Sequence, residues 1–390
     1  MKAWTVVVVG GGYAGLHAVA NLRKELCGTG GARIVWMDKD AQHVKKVRLV
    51  QARRDAMPLA VPLGDFGWAD VGIVRGTLTG LDAAQQLLAY TDVSGTPQRL
   101  AYDRLVLALG SVPREPAPGS GGLTLRGTED AAAFREAVAR CAERARMDGA
   151  PALHAAVAGA GITGIELAAE LAGRLRREAA ALGLTPAEPL VSLVSAGPRL
   201  LPDVPAHVAQ RLERQLARLG VRVLHGDKAV RYADDRGCLE LRSGIEVRAG
   251  VCVWALGTVP NPLVRELGLT VHEDGRLVVD PGYRVSGAEG VYALGDCARV
   301  TDSRTGRPDG MTCKEAIPQA QRLARGLAVE LEGRTGGKHG HESYPPLYCI
   351  GLGDTDGFFW MRRFGLDFVL TGKLGRKVRE YTWNAASLNK

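Results

Sequence analysis

The sequence predicts an α/β protein built from two similar units of parallel β-sheet and helix. A glycine pattern of the form GxGxxG occurs twice, over residues 10–15 and 159–164, each time between an apolar run and a helix-like segment. A heptapeptide also recurs, as LALGSVP from residue 107 and as WALGTVP from residue 254. Each heptapeptide glycine follows the first glycine of its own pattern by a similar distance, 100 and 98 residues. Two related units in one chain explain this repetition.

The composition is that of a globular protein rather than a disordered or fibrous one. The 390 residues are 46% apolar and 24% charged, and this length corresponds to more than one domain at roughly 150 residues each. The net charge of +8 is spread along the chain without basic tracts interleaved with aromatic residues, which argues against specific nucleic-acid binding. The seven cysteines form no CxxC pair, so they predict neither a metal site nor a disulfide framework, and a cytoplasmic location is the simplest interpretation.

The first unit begins with a predicted strand, a tight turn and a helix. The β-branched run Val6–Val9 leads into the first glycine pattern, and a helix-like segment follows from Leu16. In such a turn the first glycine makes the bend, the second lets a pyrophosphate approach the backbone, and the third lets the helix pack on the strand. The next apolar run, residues 34–37, ends in Asp38, which is placed to bond a ribose diol. The first unit is therefore predicted to bind a dinucleotide.

The second unit repeats this order with one difference. The run Ala155–Ala158 leads into the second glycine pattern and a helix from Ile165. The following strand, predicted over residues 190–194, ends in Ser195 rather than in a carboxylate, and Arg199 lies four residues on. Because no acidic side chain would repel a 2′-phosphate, the sequence tolerates NADH and NADPH.

These features, together with Glu166 after the second glycine pattern and the segment GVYALGD that ends at Asp296, resemble a known superfamily. They look like the FAD/NAD(P)-dependent oxidoreductases with two dinucleotide-binding domains, the pyridine nucleotide-disulfide oxidoreductases. Within that superfamily the chain resembles the type II NADH dehydrogenases and the ferroptosis-suppressor and AIF-like NAD(P)H:quinone reductases. The resemblance implies two Rossmann-like domains and a small C-terminal region: an FAD-binding domain of residues 1–115 and 266–330, an NAD(P)H-binding domain of residues 116–265, and residues 331–390.

The resemblance also implies a non-covalent FAD in the first domain. Asp38 would hold the adenosine ribose, Asp296 the ribityl hydroxyls, and Leu78 would pass the adenine. The other implied FAD contacts lie at the glycine turn, at strand ends and on the helix that starts near residue 313: Gly10, Gly12, Tyr13, Ala14, Gly15, Lys39, Arg48, Ala108, Leu109, Gly110, Gly295, Ala316 and Ile317.

For NADH or NADPH, the resemblance implies contacts in the second domain: Gly159, Gly161, Ile162, Thr163, Gly164, Ser195, Leu256 and Gly257. Glu166 matches a family glutamate near the nicotinamide and the flavin, although an acid stabilised by the helix dipole is an open alternative. Gln319 is similar to a residue that faces the quinone. The ferroptosis-suppressor branch has a lysine at the position of Gly310 in this chain. Lys314, one turn later, would be its substitute, and a solvated lysine is an equally open interpretation.

The function expected from this resemblance is hydride transfer from NAD(P)H to FAD and electron transfer to a quinone, with no metal. Alternatives stay open: a soluble reductase serving a ferredoxin-like protein, oxygen or a specialised metabolite, and a redox-sensing flavoprotein without catalytic turnover. Disulfide reductase chemistry is disfavoured because no cysteine pair is present, and Cys297 is interpreted as packing beneath the cofactor.

The C-terminal region combines aromatic and basic side chains. Four of the six phenylalanines fall between residues 358 and 368, and lysines and arginines follow. This combination suits peripheral contact with the inner face of a membrane. A small interface sheet or a homodimer contact is the alternative, because glycines interrupt any long amphipathic helix.

Overall fold

A computed structural model describes residues 4–26, 32–51, 58–148, 153–185, 190–333 and 341–389. Cys27 lies outside these residues. The first part of the chain contains β1 (Trp4–Val9), α1 (Tyr13–Leu26), β2 (Ala32–Asp38), β3 (Gln42–Val44), β4 (Ala60–Pro62), β5 (Val71–Asp82), β6 (Leu87–Asp92), β7 (Pro97–Ala101), β8 (Arg104–Leu107) and β9 (Ser111–Pro113). The predicted strand–turn–helix at the start of the chain is confirmed by β1 and α1.

The inserted part of the chain repeats the strand–turn–helix. It contains β10 (Leu123–Thr124), α2 (Asp130–Asp148), β11 (Ala155–Ala158), α3 (Ile162–Ala181), β12 (Val191–Ser195), α4 (Ala206–Arg218), β13 (Val221–His225), β14 (Ala229–Ala233), β15 (Cys238–Leu241), β16 (Glu246–Arg248), β17 (Val251–Trp254) and β18 (Thr258–Pro260). The remainder contains β19 (Leu277–Val278), β20 (Val291–Ala293), β21 (Ala298–Arg299), α5 (Cys313–Leu331), β22 (Leu347–Leu352), β23 (Asp356–Arg363), β24 (Leu366–Thr371) and α6 (Gly372–Ala386).

Two large sheets form the framework, and the fold is of the predicted α/β class. The first has the strand order β20-β8-β1-β2-β5-β6-β7, with parallel pairing from β20 to β5. The second has the order β10-β17-β11-β12-β13 and is parallel throughout. Because β20 returns to the first sheet after the second sheet is complete, the second unit interrupts the first. The exact domain boundaries near residues 115 and 266 stay a prediction.

The apolar runs become the cores of these sheets. The side chains of Val6, Val7 and Val8 are fully buried, and so are those of Ala155–Ala158 in the second unit. Strands buried on both faces are typical of parallel sheets covered by helices. Helix α1 packs against α5 on one side of the first sheet.

The two repeated heptapeptides pair with each other, which the sequence analysis did not predict. Strands β9 and β18 run antiparallel, with Val112 opposite Val259. Beyond the strands, the carbonyl oxygen of Gly257 accepts from the Arg114 N–H at 2.9 Å, and that of Gly110 accepts from the Asn261 N–H at 3.0 Å. The repeats therefore form a near-symmetric link between the two units.

The C-terminal region is a three-stranded antiparallel sheet, β22-β23-β24, followed by α6. Phe358 and Trp360 of β23 are buried, whereas Phe364 at the hairpin turn is 86% exposed. The aromatic run is thus divided between core and surface. Among the helices in the described part of the chain, none is long and apolar enough to cross a membrane.

Candidate active site

The first glycine turn lies at the carboxyl end of β1 and has one open position between two crowded ones. Gly10 has a φ of +121°, and a Cβ there would lie 2.2 Å from the Ala108 carbonyl oxygen. A Cβ on Gly15 would lie 1.9 Å from the Gly10 carbonyl oxygen, whereas one on Gly12 would have no atom within 4 Å. The outer glycines are therefore required by the fold. Gly12 leaves free space before the N-terminus of α1, which begins at Tyr13 and favours anions.

The second glycine turn reproduces this geometry closely. Gly159 has a φ of +113°, and its Cβ would lie 2.2 Å from the Ala255 carbonyl oxygen. A Cβ on Gly164 would lie 1.8 Å from the Gly159 carbonyl oxygen, and one on Gly161 would have no atom within 4 Å. Helix α3 starts at Ile162, with Thr163 exposed in its first turn. The two turns, the first and second cradles, thus stand at matching places in the two sheets, each with one open glycine before a helix N-terminus, and both fit a bound dinucleotide.

The strand ends beside the two cradles differ in charge. The Asp38 carboxylate accepts a hydrogen bond from the Gly11 N–H at 2.8 Å, which holds it over the first turn. At the same place in the second unit, the Ser195 hydroxyl donates to the Gly197 carbonyl oxygen at 3.3 Å. Ser195 is 5% exposed and lies opposite His225 of β13. The second cradle therefore has no carboxylate at the end of β12.

Asp296 lies in a short 3₁₀ helix, Gly295–Cys297, after β20. The Ser111 hydroxyl donates to its carboxylate at 2.5 Å, and the Lys46 ammonium donates to the Ser111 carbonyl oxygen at 2.9 Å. Burial raises the pKa of the Asp296 carboxyl, while the Ser111 hydrogen bond and the Lys46 charge act in the opposite direction. Ser111 and Lys46 were not among the predicted residues, although Ser111 directly follows Gly110 in the first heptapeptide.

Gln319 lies inside the protein, and its quinone-facing role stays a prediction. Its side chain is 2% exposed. The carbonyl oxygen accepts from the Gly295 N–H at 2.8 Å, and the amide nitrogen donates to Asp309 at 2.8 Å. Both ends of the amide are therefore engaged inside the protein, which does not support a quinone-facing role. The sequence could not reveal this, because Asp309 and Gly295 approach Gln319 only in the folded chain.

Glu166 on α3 is held by the C-terminal region. Its carboxylate accepts from Arg379 of α6 at 2.9 and 3.0 Å and from the Gly351 N–H of β22 at 2.6 Å. Glu166 is 5% exposed and Arg379 is 9% exposed. The carboxylate of Glu166 is therefore bonded to Arg379 and Gly351. Its proximity to the nicotinamide stays a prediction.

The remaining predicted residues fall into two groups. Leu78, Ala108 and Ala316 are buried beside the first cradle's sheet and helix, Ile317 is half-buried, and Gly110 and Gly257 adopt positive φ values at the heptapeptide turns, with Leu109 and Leu256 before them. By contrast, Lys39 is exposed and pairs with Asp40, Arg48 donates to Asn384 of α6, and Lys314 donates to the Leu347 carbonyl oxygen at 3.1 Å.

Two histidines near the first cradle have partners that were not anticipated. His43 is fully buried, with Nδ1 2.9 Å from the Gly11 carbonyl oxygen and Nε2 3.2 Å from the Ser387 hydroxyl. His17 lies 2.9 Å from the Ala386 carbonyl oxygen. Burial lowers the pKa of both imidazoles, that of His43 to about 4. These contacts attach the end of α6 to the first unit.

One group of potential metal ligands occurs among the described residues, and an arginine side chain lies against it. The side chains of Cys238, Glu240 and Glu246 lie close together on β15 and β16. Arg236 forms ion pairs with both glutamates. The guanidinium group neutralises the carboxylates, so this cluster is explained without a metal ion.

Residues 4–321 match the family described as pyridine nucleotide-disulphide oxidoreductase. An NADH dehydrogenase-like protein of Mycobacterium tuberculosis is 31% identical over 329 residues, which cover 81% of this chain and 78% of that protein. The type II NADH:quinone oxidoreductase of Staphylococcus aureus is 26% identical over 349 residues, covering 85% and 83%. The solved structure of NDH2 from Plasmodium falciparum has a TM-score of 0.79 at 13% identity and covers 99% of this chain and 98% of that one, which establishes the shared fold.

Two glycine cradles at the carboxyl ends of parallel strands, linked through their repeated heptapeptides, fit two bound dinucleotides, and together with the family match they identify an NAD(P)H-dependent flavoprotein oxidoreductase. The chain belongs to the pyridine nucleotide-disulphide oxidoreductase family. Membership of this family implies the use of FAD and of a pyridine nucleotide.

Proposed function

We propose that this protein is an FAD-dependent NAD(P)H:quinone oxidoreductase. The observation that carries the proposal is the matched pair of cradles, in which Gly12 and Gly161 are open while the flanking glycines are packed against backbone. When bound, FAD supplies the redox chemistry by accepting hydride from NAD(P)H and passing electrons to the acceptor. The chain supplies binding, orientation and electrostatics.

In this proposal the first cradle holds the FAD pyrophosphate. Gly10 and Gly15 shape the turn, Gly12 admits the phosphates, and the N-terminus of α1 stabilises their charge. Asp38 accepts hydrogen bonds from the ribose hydroxyls at the carboxylate oxygen that is not bonded to the Gly11 N–H. Asp296, steadied by Ser111, holds the ribityl hydroxyls, and Lys46 adds positive charge beside it.

The second cradle, at Gly159, Gly161 and Gly164, holds the pyrophosphate of NADH or NADPH. Since Ser195 places no negative charge at the end of β12, a 2′-phosphate meets no repulsion there. The pairing of β9 with β18 joins the two units that carry the cradles.

The acceptor is proposed to be a quinone, as the names of the Staphylococcus aureus and other relatives suggest. Its site would lie where the N-terminus of α5 meets β22, because this helix end favours negative charge on a reduced ring. Here the Lys314 ammonium lies 5.7 Å from the centre of the Tyr348 ring and is bonded to the β22 backbone. Lys314 thus joins α5 to the C-terminal sheet at this position.

The C-terminal sheet is proposed to rest on the inner face of a membrane. Leu366, Phe368 and Leu370 alternate along the edge strand β24, and their side chains are 63%, 46% and 38% exposed. Exposed Lys373 and Lys377 follow at the start of α6. An apolar row beside cations suits an anionic lipid surface. The alternative is that β24 of a second copy of the chain covers this surface in a homodimer.

Anaerobic stopped-flow spectroscopy tests this function. The purified flavoprotein is reduced with NADH or NADPH and then mixed with menadione, a short-chain ubiquinone or oxygen. Fast bleaching of the flavin, followed by reoxidation that is much faster with quinone than with oxygen, is expected. Bleaching with slow reoxidation by all three would favour a ferredoxin-like partner or a specialised metabolite, and absence of bleaching would contradict NAD(P)H oxidation.

A further inference from the structure

A buried chain of polar side chains leads from the FAD-binding turn to a loop on the far side of α5. Gln319 joins the Gly295 N–H to Asp309, as described above. The same Asp309 oxygen lies 2.7 Å from Nε2 of His341, and its other oxygen accepts from the Ser343 hydroxyl at 2.5 Å. The exposed fractions of Gln319, Asp309 and His341 are 2%, 5% and 1%. A charged group is seldom buried this deeply without a specific set of partners.

The partners of these buried side chains determine which atoms donate and which accept hydrogen bonds. Arg322 and the Tyr283 hydroxyl each lie 3.1 Å from His341 Nδ1. A guanidinium can only donate, so Nδ1 accepts and the neutral imidazole carries its proton on Nε2, the nitrogen that lies close to Asp309. Burial opposes ionisation of Asp309, but bonds from His341, Ser343 and Gln319 hold the pKa of its carboxyl below the usual value. Facing an anion, the Gln319 amide must present its nitrogen to Asp309 and its oxygen to Gly295.

The turn that Gln319 holds is a tight one. Gly295 has a φ of +73°, and a Cβ there would lie 2.7 Å from the Ala14 Cβ in the first glycine turn. The neighbouring residue is Asp296. A rotated or missing amide at position 319 would leave a buried N–H unpaired, and the turn would shift to satisfy it.

We propose that Asp309 and His341 are positioning residues that fix the amide of Gln319, and through it the FAD-binding turn at Gly295 and Asp296. This inference rests on the proposed function, because it assumes FAD in the first cradle. It gives Gln319 a role in cofactor retention rather than in contact with the electron acceptor.

The first test compares Gln319→Met with Gln321→Met by titrating the apoproteins with FAD. Gln321 lies on the same helix, is exposed, and undergoes the same chemical change. Loss of the bond to Gly295 is expected to weaken FAD binding about 10-fold in Gln319→Met, with no change in Gln321→Met. His341→Phe is expected to weaken FAD binding as well, by a smaller factor.

The second test uses Gln319→Glu and separates positioning from a general loss of stability. A protonated glutamate can donate to Asp309 and accept from Gly295 as the glutamine does, whereas an ionised one meets the Asp309 carboxylate. FAD affinity in this variant should approach that of the wild type at pH 6.5 and fall steeply by pH 9. The groups that face this chain are His341, Arg322, Arg276 and Tyr283, and burial raises the pKa of Tyr283 to about 12.

The outcomes are distinguishable. Wild-type FAD affinity in Gln319→Met, or an FAD affinity in Gln319→Glu that varies with pH no more than that of the wild type, overturns the inference. A wild-type apoprotein that binds no FAD contradicts the proposed function instead.

Discussion

Arg379 and Glu166 lie 213 residues apart in the sequence and form a buried bidentate ion pair. The pair joins α6 to α3, the helix that begins at the second glycine turn. At its other end α6 contacts the first unit through Ala386 and Ser387, which lie against His17 and His43. A single C-terminal helix therefore contacts both nucleotide-binding units.

Arg379→Met is expected to lower the free energy of unfolding of the apoprotein by about 3–5 kcal/mol, because the Glu166 carboxylate would stay buried without its partner. Adding Glu166→Gln should restore most of that loss, since the remaining amide carries no charge. Urea denaturation of the two single variants and the double variant measures the coupling. Arg363→Met, on the exposed end of β23, is the control. An unfolding free energy for Arg379→Met within 1 kcal/mol of the wild type would show that the pair adds little.

The sequence predicted the parts of the fold that are encoded locally. The turns at Gly10 and Gly159 need glycine for positive φ, and Gly15 and Gly164 need it for contact with the carbonyl oxygen five residues earlier, so both requirements lie within one short stretch of sequence. The partner of Glu166 was not predicted, because an arginine on a distant helix carries no local signal. The engaged amide of Gln319 was missed for the same reason.

Gly12→Ala and Gly161→Ala should separate the two cofactors. Neither Cβ would touch a protein atom, so the unfolding free energy should be unchanged, but each methyl group would occupy the space of a pyrophosphate. We expect Gly12→Ala to weaken FAD binding by at least about 10-fold. Gly161→Ala should keep FAD and raise the KM for NAD(P)H.

Fluorescence titration with FAD and steady-state kinetics check these two variants. Gly64→Ala is the matched control, since its Cβ would also meet open space and Gly64 belongs to neither glycine pattern. If Gly161→Ala loses FAD while Gly12→Ala retains it, the assignment of cofactors to cradles is reversed.

Ser195→Asp should change the nucleotide preference. The new carboxylate would stand where Asp38 stands in the first unit, beside the ribose of the second nucleotide. Repulsion is expected to lower kcat/KM for NADPH by at least about 10-fold, while kcat/KM for NADH is kept or improved. The ratio of the two constants is the measurement, and Ser286→Asp at an exposed position controls for added charge. An unchanged ratio would mean that the 2′-position lies elsewhere.

Replacing Leu366, Phe368 and Leu370 together with serine tests the membrane contact. These side chains form one row on β24 and are already exposed, so the unfolding free energy should change little. Vesicle binding should fall by at least about 10-fold, because the apolar row on β24 that would enter the interface is removed. Cosedimentation with vesicles containing anionic lipid measures the affinity.

The control for this variant is Val230→Ser with Ile245→Ser, which removes side chains that are 50% and 59% exposed on the second unit. High salt should weaken the wild-type interaction by screening Lys373 and Lys377, whereas the serine variant should show weak binding at every salt concentration. The contrary result is a wild type that binds no vesicles and is a dimer in light scattering, with a serine variant that is a monomer. That result would show that β24 forms the contact between two copies of the chain. The apolar row would in that case be explained by self-association and not by lipid.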